Sequence, residues 1–130
     1  MILVTESTKV FHLKTPNTSY IFRLNGDYIL EHLYWGKRIE DITGLIDKNT
    51  FIPAFSAINY EYHEDGIELT TDSIASEYAF YGSCDMRKPS FHAVYFDGSR
   101  VSKPKFVSYK IYSGKKKING LPSVYTEDDS

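Results

Sequence analysis

Cysteine is almost missing from this chain. Cys84 stands alone among 130 residues, so no internal disulfide can form. Order must then come from a packed core, and a chain of this length can bury one in a single domain, residues 1–130. An excess of one charge is also lacking. The formal net charge of −2 excludes a general attraction to nucleic acid or to an anionic membrane. No apolar run approaches the length that spans a bilayer. Met1-Ile2-Leu3-Val4-Thr5-Glu6 has no charged segment followed by a long apolar core, unlike a secretory signal. With one cysteine, these features suit a reducing cytoplasm, the expected location. His12, His32, His63 and His92 lie far apart and match no metal-ligand spacing. With no Gly-rich phosphate loop either, neither metal nor cofactor is expected. Internal repeats and low-complexity segments are absent.

Aromatic residues are plentiful. Eleven Tyr and eight Phe favour sheet over helix. Residues 4–13 alternate around turn-like residues and end in Phe11-His12-Leu13, which predicts a first strand. Thr15-Pro16-Asn17 reads as a turn. Residues 19–24 follow as a second strand with Tyr20, Phe22 and Leu24 on one face. Asn25-Gly26 is a strong hairpin signal, because both residue types tolerate positive φ. Residues 28–35 return as a third strand. Plain alternation puts Ile29, Glu31, Leu33 and Trp35 on one face and Tyr28, Leu30, His32 and Tyr34 on the other, and both faces are largely apolar. Ile39, Ile42, Leu45 and Ile46 have the spacing of a short helical turn. Residues 50–62 read as an extended loop and Glu64-Asp65-Gly66 as a turn. Further on, residues 91–96 predict a strand and Asp97-Gly98 a hairpin turn. The chain returns over 99–101, and another strand is expected over 105–112. The expected fold is all-β, an antiparallel β-sandwich with little helix.

The stretch around which the rest is organised is residues 77–91, Glu-Tyr-Ala-Phe-Tyr-Gly-Ser-Cys-Asp-Met-Arg-Lys-Pro-Ser-Phe. Tyr78, Phe80 and Tyr81 crowd its front, and Gly82 permits a backbone turn that a Cβ opposes. Asp85 and Arg87 stand two apart, and Pro89 pushes Lys88 towards an extended conformation. This reads as a loop pinned by a charge pair and packed by its own aromatics.

The same stretch resembles the Glu-Tyr-Pro-x-Tyr-Gly-x-x-Asp-Phe-Arg-x-Pro-Ala signature of the α-galactosidases of glycoside hydrolase family 36. Glu77, Tyr78, Tyr81, Gly82, Asp85, Arg87 and Pro89 match, while Ala79, Met86 and Ser90 depart from it at packing positions. Further matches follow the family's order: Phe11-His12-Leu13, Ser19-Tyr20, His32-Leu33-Tyr34-Trp35-Gly36-Lys37, Asp97-Gly98-Ser99, Gly114-Lys115 and Gly120-Leu121-Pro122. The resemblance implies the early part of an N-terminal β-supersandwich that precedes a catalytic (β/α)8 barrel. It therefore implies an incomplete N-terminal domain, with the barrel and its two catalytic aspartates absent from this chain.

Candidate sites follow from the residues and from the resemblance. Glycoside hydrolysis needs two carboxylates; in the resembled family both lie on the barrel, so no catalytic residue is assigned here. Tyr78, Tyr81, Gly82, Asp85, Arg87 and Pro89 form a structural loop motif, with Asp85 and Arg87 as its pair. Trp35, the sole tryptophan, is either a core or interface aromatic or a platform for a sugar ring. The resemblance implies that a loop near residues 51–66 can approach a neighbouring subunit's sugar pocket, which makes Asp65 a candidate contact beside Glu61 and Glu64. His12 and His32 read as hydrogen-bonded packing residues. Cys84 has no adjacent His and reads as a small buried hydrophobe. Lys115-Lys116-Lys117 reads as a solvated turn.

Two functions fit these features. The first is a non-catalytic domain of a retaining α-galactosidase acting on oligosaccharides such as melibiose and raffinose, inactive alone. It would support a dimer or tetramer and frame the active-site mouth. The second is a free-standing β-sandwich module that binds carbohydrate or protein.

Overall fold

The computed structural model describes residues 1–26, 28–46, 62–64, 67–69, 74–82, 87–114 and 118–122. Four strands form one antiparallel sheet in sequence order: β1 (Ile2–Thr5), β2 (Val10–Lys14), β3 (Thr18–Leu24) and β4 (Leu30–Lys37). Among the described residues helix is confined to α1 (Thr43–Ile46), and a separate hairpin pairs β5 (Tyr62–Glu64) with β6 (Ile67–Leu69). The all-β antiparallel class is the expected one.

The predicted first strand is two strands. Lys9 takes φ 49°, a left-handed conformation that reverses the chain and sets β1 beside β2, with Val4 opposite Phe11. Between β3 and β4, the Asn25-Gly26 signal marks a hairpin of a different kind. The positive φ falls on Tyr28, at 63°, and not on Gly26. The loop runs over five residues and is tied by Asn25. Its backbone N–H donates to the Ile29 carbonyl at 3.0 Å, and its Oδ1 accepts the Ile29 N–H at 3.0 Å.

The two faces of the sheet differ. Val10, His12, Ser19, Ile21 and Arg23 share a buried face, where Arg23 donates to its cross-strand partner Glu31 at 2.8 Å. Phe11, Tyr20 and Phe22 share the other, and Phe11 and Phe22 stack at 4.9 Å between ring centroids. Tyr109 returns to this face and meets Phe11 edge-on at 4.8 Å.

β4 carries an irregularity with consequences for the site. Ile21 faces Tyr34 and Phe22 faces His32, which leaves Leu33 as an extra residue, a β-bulge. Plain alternation would send His32 and Trp35 to opposite faces. The bulge puts both on the face of Tyr20 and Phe22, with Trp35 directly opposite Tyr20.

Beyond β4 the chain folds back across the sheet end. The Arg38 N–H donates to the Asn17 carbonyl at 2.8 Å, and the Ile39 N–H donates to Ser19 Oγ at 3.1 Å. The predicted helical turn is α1, opened by Asp41, whose carboxylate accepts the Thr43 N–H at 2.9 Å.

Residues 91–96, 99–101 and 105–112 are not strands, contrary to their alternation. Among the described residues their backbone bonds go singly to scattered segments: Ser102 N–H to Tyr81 and Phe106 N–H to Tyr28. A strand needs a continuous ladder, and alternation alone supplies none. The Asp97-Gly98 turn does form, with Gly98 at φ 80° and Tyr95 N–H donating to the Ser99 carbonyl at 2.9 Å.

Candidate functional site

Residues 74–77 run along the outer edge of β4. The His32 N–H donates to the Ala75 carbonyl at 2.7 Å, and the Glu77 N–H donates to the Leu30 carbonyl at 2.9 Å. This edge pairing aims the Glu77 side chain onto the sheet face that the bulge has prepared. There its Oε1 meets His32 Nδ1 at 2.6 Å, and its Oε2 accepts the Tyr20 hydroxyl. One carboxylate therefore ties β3, β4 and the following loop together. The imidazole of His32 lies 5.8 Å from the Tyr20 ring, centroid to centroid. Burial, and then the bond to Glu77 and its charge, push the Tyr20 phenol up to about 12. The Glu77 side chain is 18% exposed and that of His32 41% exposed, so the cluster has a sealed inner half and a wet outer half. Trp35 lies beside it and is 77% exposed in this chain.

A second His-containing pair lies on the buried face. His12 Nε2 and Ser19 Oγ are 2.9 Å apart. Nucleophilic catalysis can use such a pair, but Ser19 is 0% exposed and its Oγ also takes the Ile39 N–H. This pair is therefore a packing contact, and burial, with Lys14 nearby, pushes the His12 imidazole down. Lys14 reaches Glu40 at 2.5 Å and Arg38 reaches it at 2.8 Å, which holds the Glu40 carboxyl down at about 2.

The loop-motif residues lie outside the Glu77 cluster. The Tyr78 ring meets Phe91 at 5.6 Å and the Tyr81 ring meets His92 at 5.9 Å. Gly82 has φ 114°, and a Cβ there would approach Val101 to 2.7 Å. Arg87 Nη1 donates to the Ile74 carbonyl at 2.8 Å, and after Pro89 the Ser90 N–H donates to the Ala79 carbonyl at 2.8 Å. Asp85, Cys84 and Asp65 lie outside the described residues, as do residues 50–61, 115–117 and the far end of the chain. So the Asp85–Arg87 pair and the Asp65 contact have no described geometry. A shallow groove of about 140 Å³ beside Tyr78 is lined mainly by apolar groups from Tyr28, Leu30, Phe80 and Phe106.

Sequence reasoning placed Glu77 in the motif but missed its partners. Tyr20 is 57 residues away and His32 is 45 away, and no spacing rule connects them. Among the described residues no group of three His, Cys, Asp or Glu side chains can hold a metal. No helix among them is long and apolar enough to cross a membrane.

Comparison with known proteins identifies the family. The family model described as glycosyl hydrolase family 36 N-terminal domain matches residues 28–130. The chain is 34% identical over 128 residues to α-galactosidase AgaA of Geobacillus stearothermophilus, covering 98% of this chain and 17% of that protein. Among solved structures it is similar to the family 36 α-galactosidase AgaB of the same organism. That match has a TM-score of 0.81 and 33% identity, over 98% of this chain and 17% of that one. It is also similar to a variant of AgaA solved in complex with raffinose, with a TM-score of 0.77 and 34% identity, over 92% of this chain and 16% of that one. The chain thus spans about one sixth of the length of the relatives it matches. By these matches it belongs to glycosyl hydrolase family 36, as the N-terminal domain of that family.

Proposed function

We propose that this chain serves as a non-catalytic domain of a retaining α-galactosidase that removes terminal α-linked galactose from oligosaccharides such as melibiose and raffinose. The observation that carries the reading is the alignment along nearly the whole chain with the first sixth of α-galactosidases. The chemistry of the sheet face supports it. Retaining hydrolysis needs a nucleophile and an acid roughly 5 Å apart. Glu77 is already engaged on both oxygens by Tyr20 and His32. Glu40 is engaged by two cations. Neither is poised as a nucleophile or as an acid. The domain's part is structural: it supports subunit assembly, as a dimer or tetramer, and frames the mouth of an active site built elsewhere. Its single cysteine suits a reducing compartment, and a cytoplasmic enzyme is part of the proposal.

The test is an aryl α-galactoside assay on the pure 130-residue chain. No chromophore release above the uncatalysed rate is expected. Release in proportion to protein concentration overturns the non-catalytic assignment.

A further inference from the structure

The bulge at Leu33 has a specific result: it turns the sole tryptophan onto the face that carries His32, Tyr20 and Glu77. β-bulges re-aim side chains and are retained where that matters. Trp35 then stands 77% exposed, a large apolar area left in water at a cost that burial against a partner would recover. Across β3 it faces the Tyr20 ring, and along its own strand its neighbours on this face are polar. On one side lie Lys37 and Thr18, cross-strand partners that are both exposed. On the other lies His32, whose Nδ1 is fixed by Glu77 at 2.6 Å. That bond orients the ring and leaves Nε2 as the atom for an outside partner.

We propose that Trp35 and His32 form a carbohydrate-binding surface for a pyranose of the α-galactoside class. The indole takes the apolar C–H face of the ring, and His32 Nε2 hydrogen-bonds a ring hydroxyl. Glu77 acts as a positioning residue that holds the imidazole. The two contacts stand three residues apart on β4, roughly 7–10 Å along the strand, a span that one or two hexose units cover. A flat aromatic beside a few oriented polar groups suits a sugar. A protein partner would instead cover a contiguous apolar patch, and Trp35 is flanked along β4 on this face by Lys37 and His32. The galactoside class rests on the function proposed above; the surface itself rests on the geometry.

The test uses Trp35 as its own probe, since no other indole contributes to emission. The chain is titrated with methyl α-galactoside, raffinose and methyl α-glucoside while emission is followed. A saturable change with the galactosides is expected, with Kd of about 1 mM. Trp35→Ala, followed by calorimetry, should weaken binding by about tenfold or more, as loss of an aromatic anchor does. His32→Ala should weaken it by about threefold, with melting curves showing both variants folded. Emission that stays constant with every sugar up to high millimolar concentration overturns the surface. A change with the glucoside alone overturns the galactoside class, and with it the substrate reading above, while leaving the surface standing. Trp35 emission that shifts with protein concentration in step with light scattering, without sugar, places a second copy over Trp35 and overturns the proposal.

Discussion

Replacing Glu77 by Ala tests how residues 74–82 are held to the sheet. The carboxylate accepts the Tyr20 hydroxyl and bonds His32 Nδ1. The Tyr20 phenol is half-buried, so its loss of a charged acceptor counts nearly in full, at roughly 1.5–3 kcal/mol. The His32 side chain is 41% exposed, and water replaces much of what it loses, so its share is about 0–1 kcal/mol. Together the substitution costs about 1.5–4 kcal/mol, a large part of a typical stability of roughly 5–15 kcal/mol. At about 3–4 °C per kcal/mol for a chain of this size, the melting temperature falls by about 5–16 °C. Glu77→Gln keeps an acceptor for Tyr20 and should lose about half as much. Urea melts of wild type, Glu77→Ala, Tyr20→Phe and the double variant close a thermodynamic cycle. A coupling of about 1 kcal/mol or more between Tyr20 and Glu77 is expected. A Glu77→Ala midpoint indistinguishable from wild type refutes the reasoning, because the backbone bonds along β4 would then hold the loop alone.

Other expectations follow from individual contacts. Arg87→Ala removes the donor to the Ile74 carbonyl and should cost about 1–3 kcal/mol in a urea melt; an unmoved midpoint would show that the aromatics alone order the loop. The Tyr20 phenol titrates higher folded, at about 12, than unfolded, near 10. Its contribution is therefore fully present below pH 10 and lost as pH rises through 12, and the alkaline part of the stability profile should be flatter in Tyr20→Phe. His12 has the opposite sign. Burial depresses its folded pKa, so its contribution is present above its unfolded value of about 6.5 and falls away as acid protonates the unfolded chain first. His12→Gln should flatten the profile below that pH. The chain should also self-associate. Among the described residues β1 pairs on one side only, with Ile2 and Leu3 exposed, and Phe96 and Val107 lie bare to solvent. Light scattering that finds a monodisperse monomer at high concentration contradicts this.

Where the controlling interaction is local, the sequence was enough. The period-two alternation of residues 19–24 put Tyr20, Phe22 and Leu24 on one face, because side chains alternate along a strand whatever lies beside it. The spacing of Ile39, Ile42, Leu45 and Ile46 announced a helical turn, which forms as α1 at its far end, and the ordered motifs announced the family that the comparisons confirm. Where the controlling partner is distant, the sequence was silent or misleading. Residues 91–112 alternate like strands yet gain no ladder, because pairing depends on a neighbour that pattern does not supply. The reversal at Lys9 was hidden, since only the β1–β2 pairing favours a left-handed lysine there. The bulge at Leu33 was invisible because register belongs to two strands at once, and it alone decides which face Trp35 shares. Glu77 was legible as one residue of a motif. That it joins Tyr20 and His32 into one cluster was settled by the edge pairing of residues 74–77 with β4, a contact that only the folded chain makes.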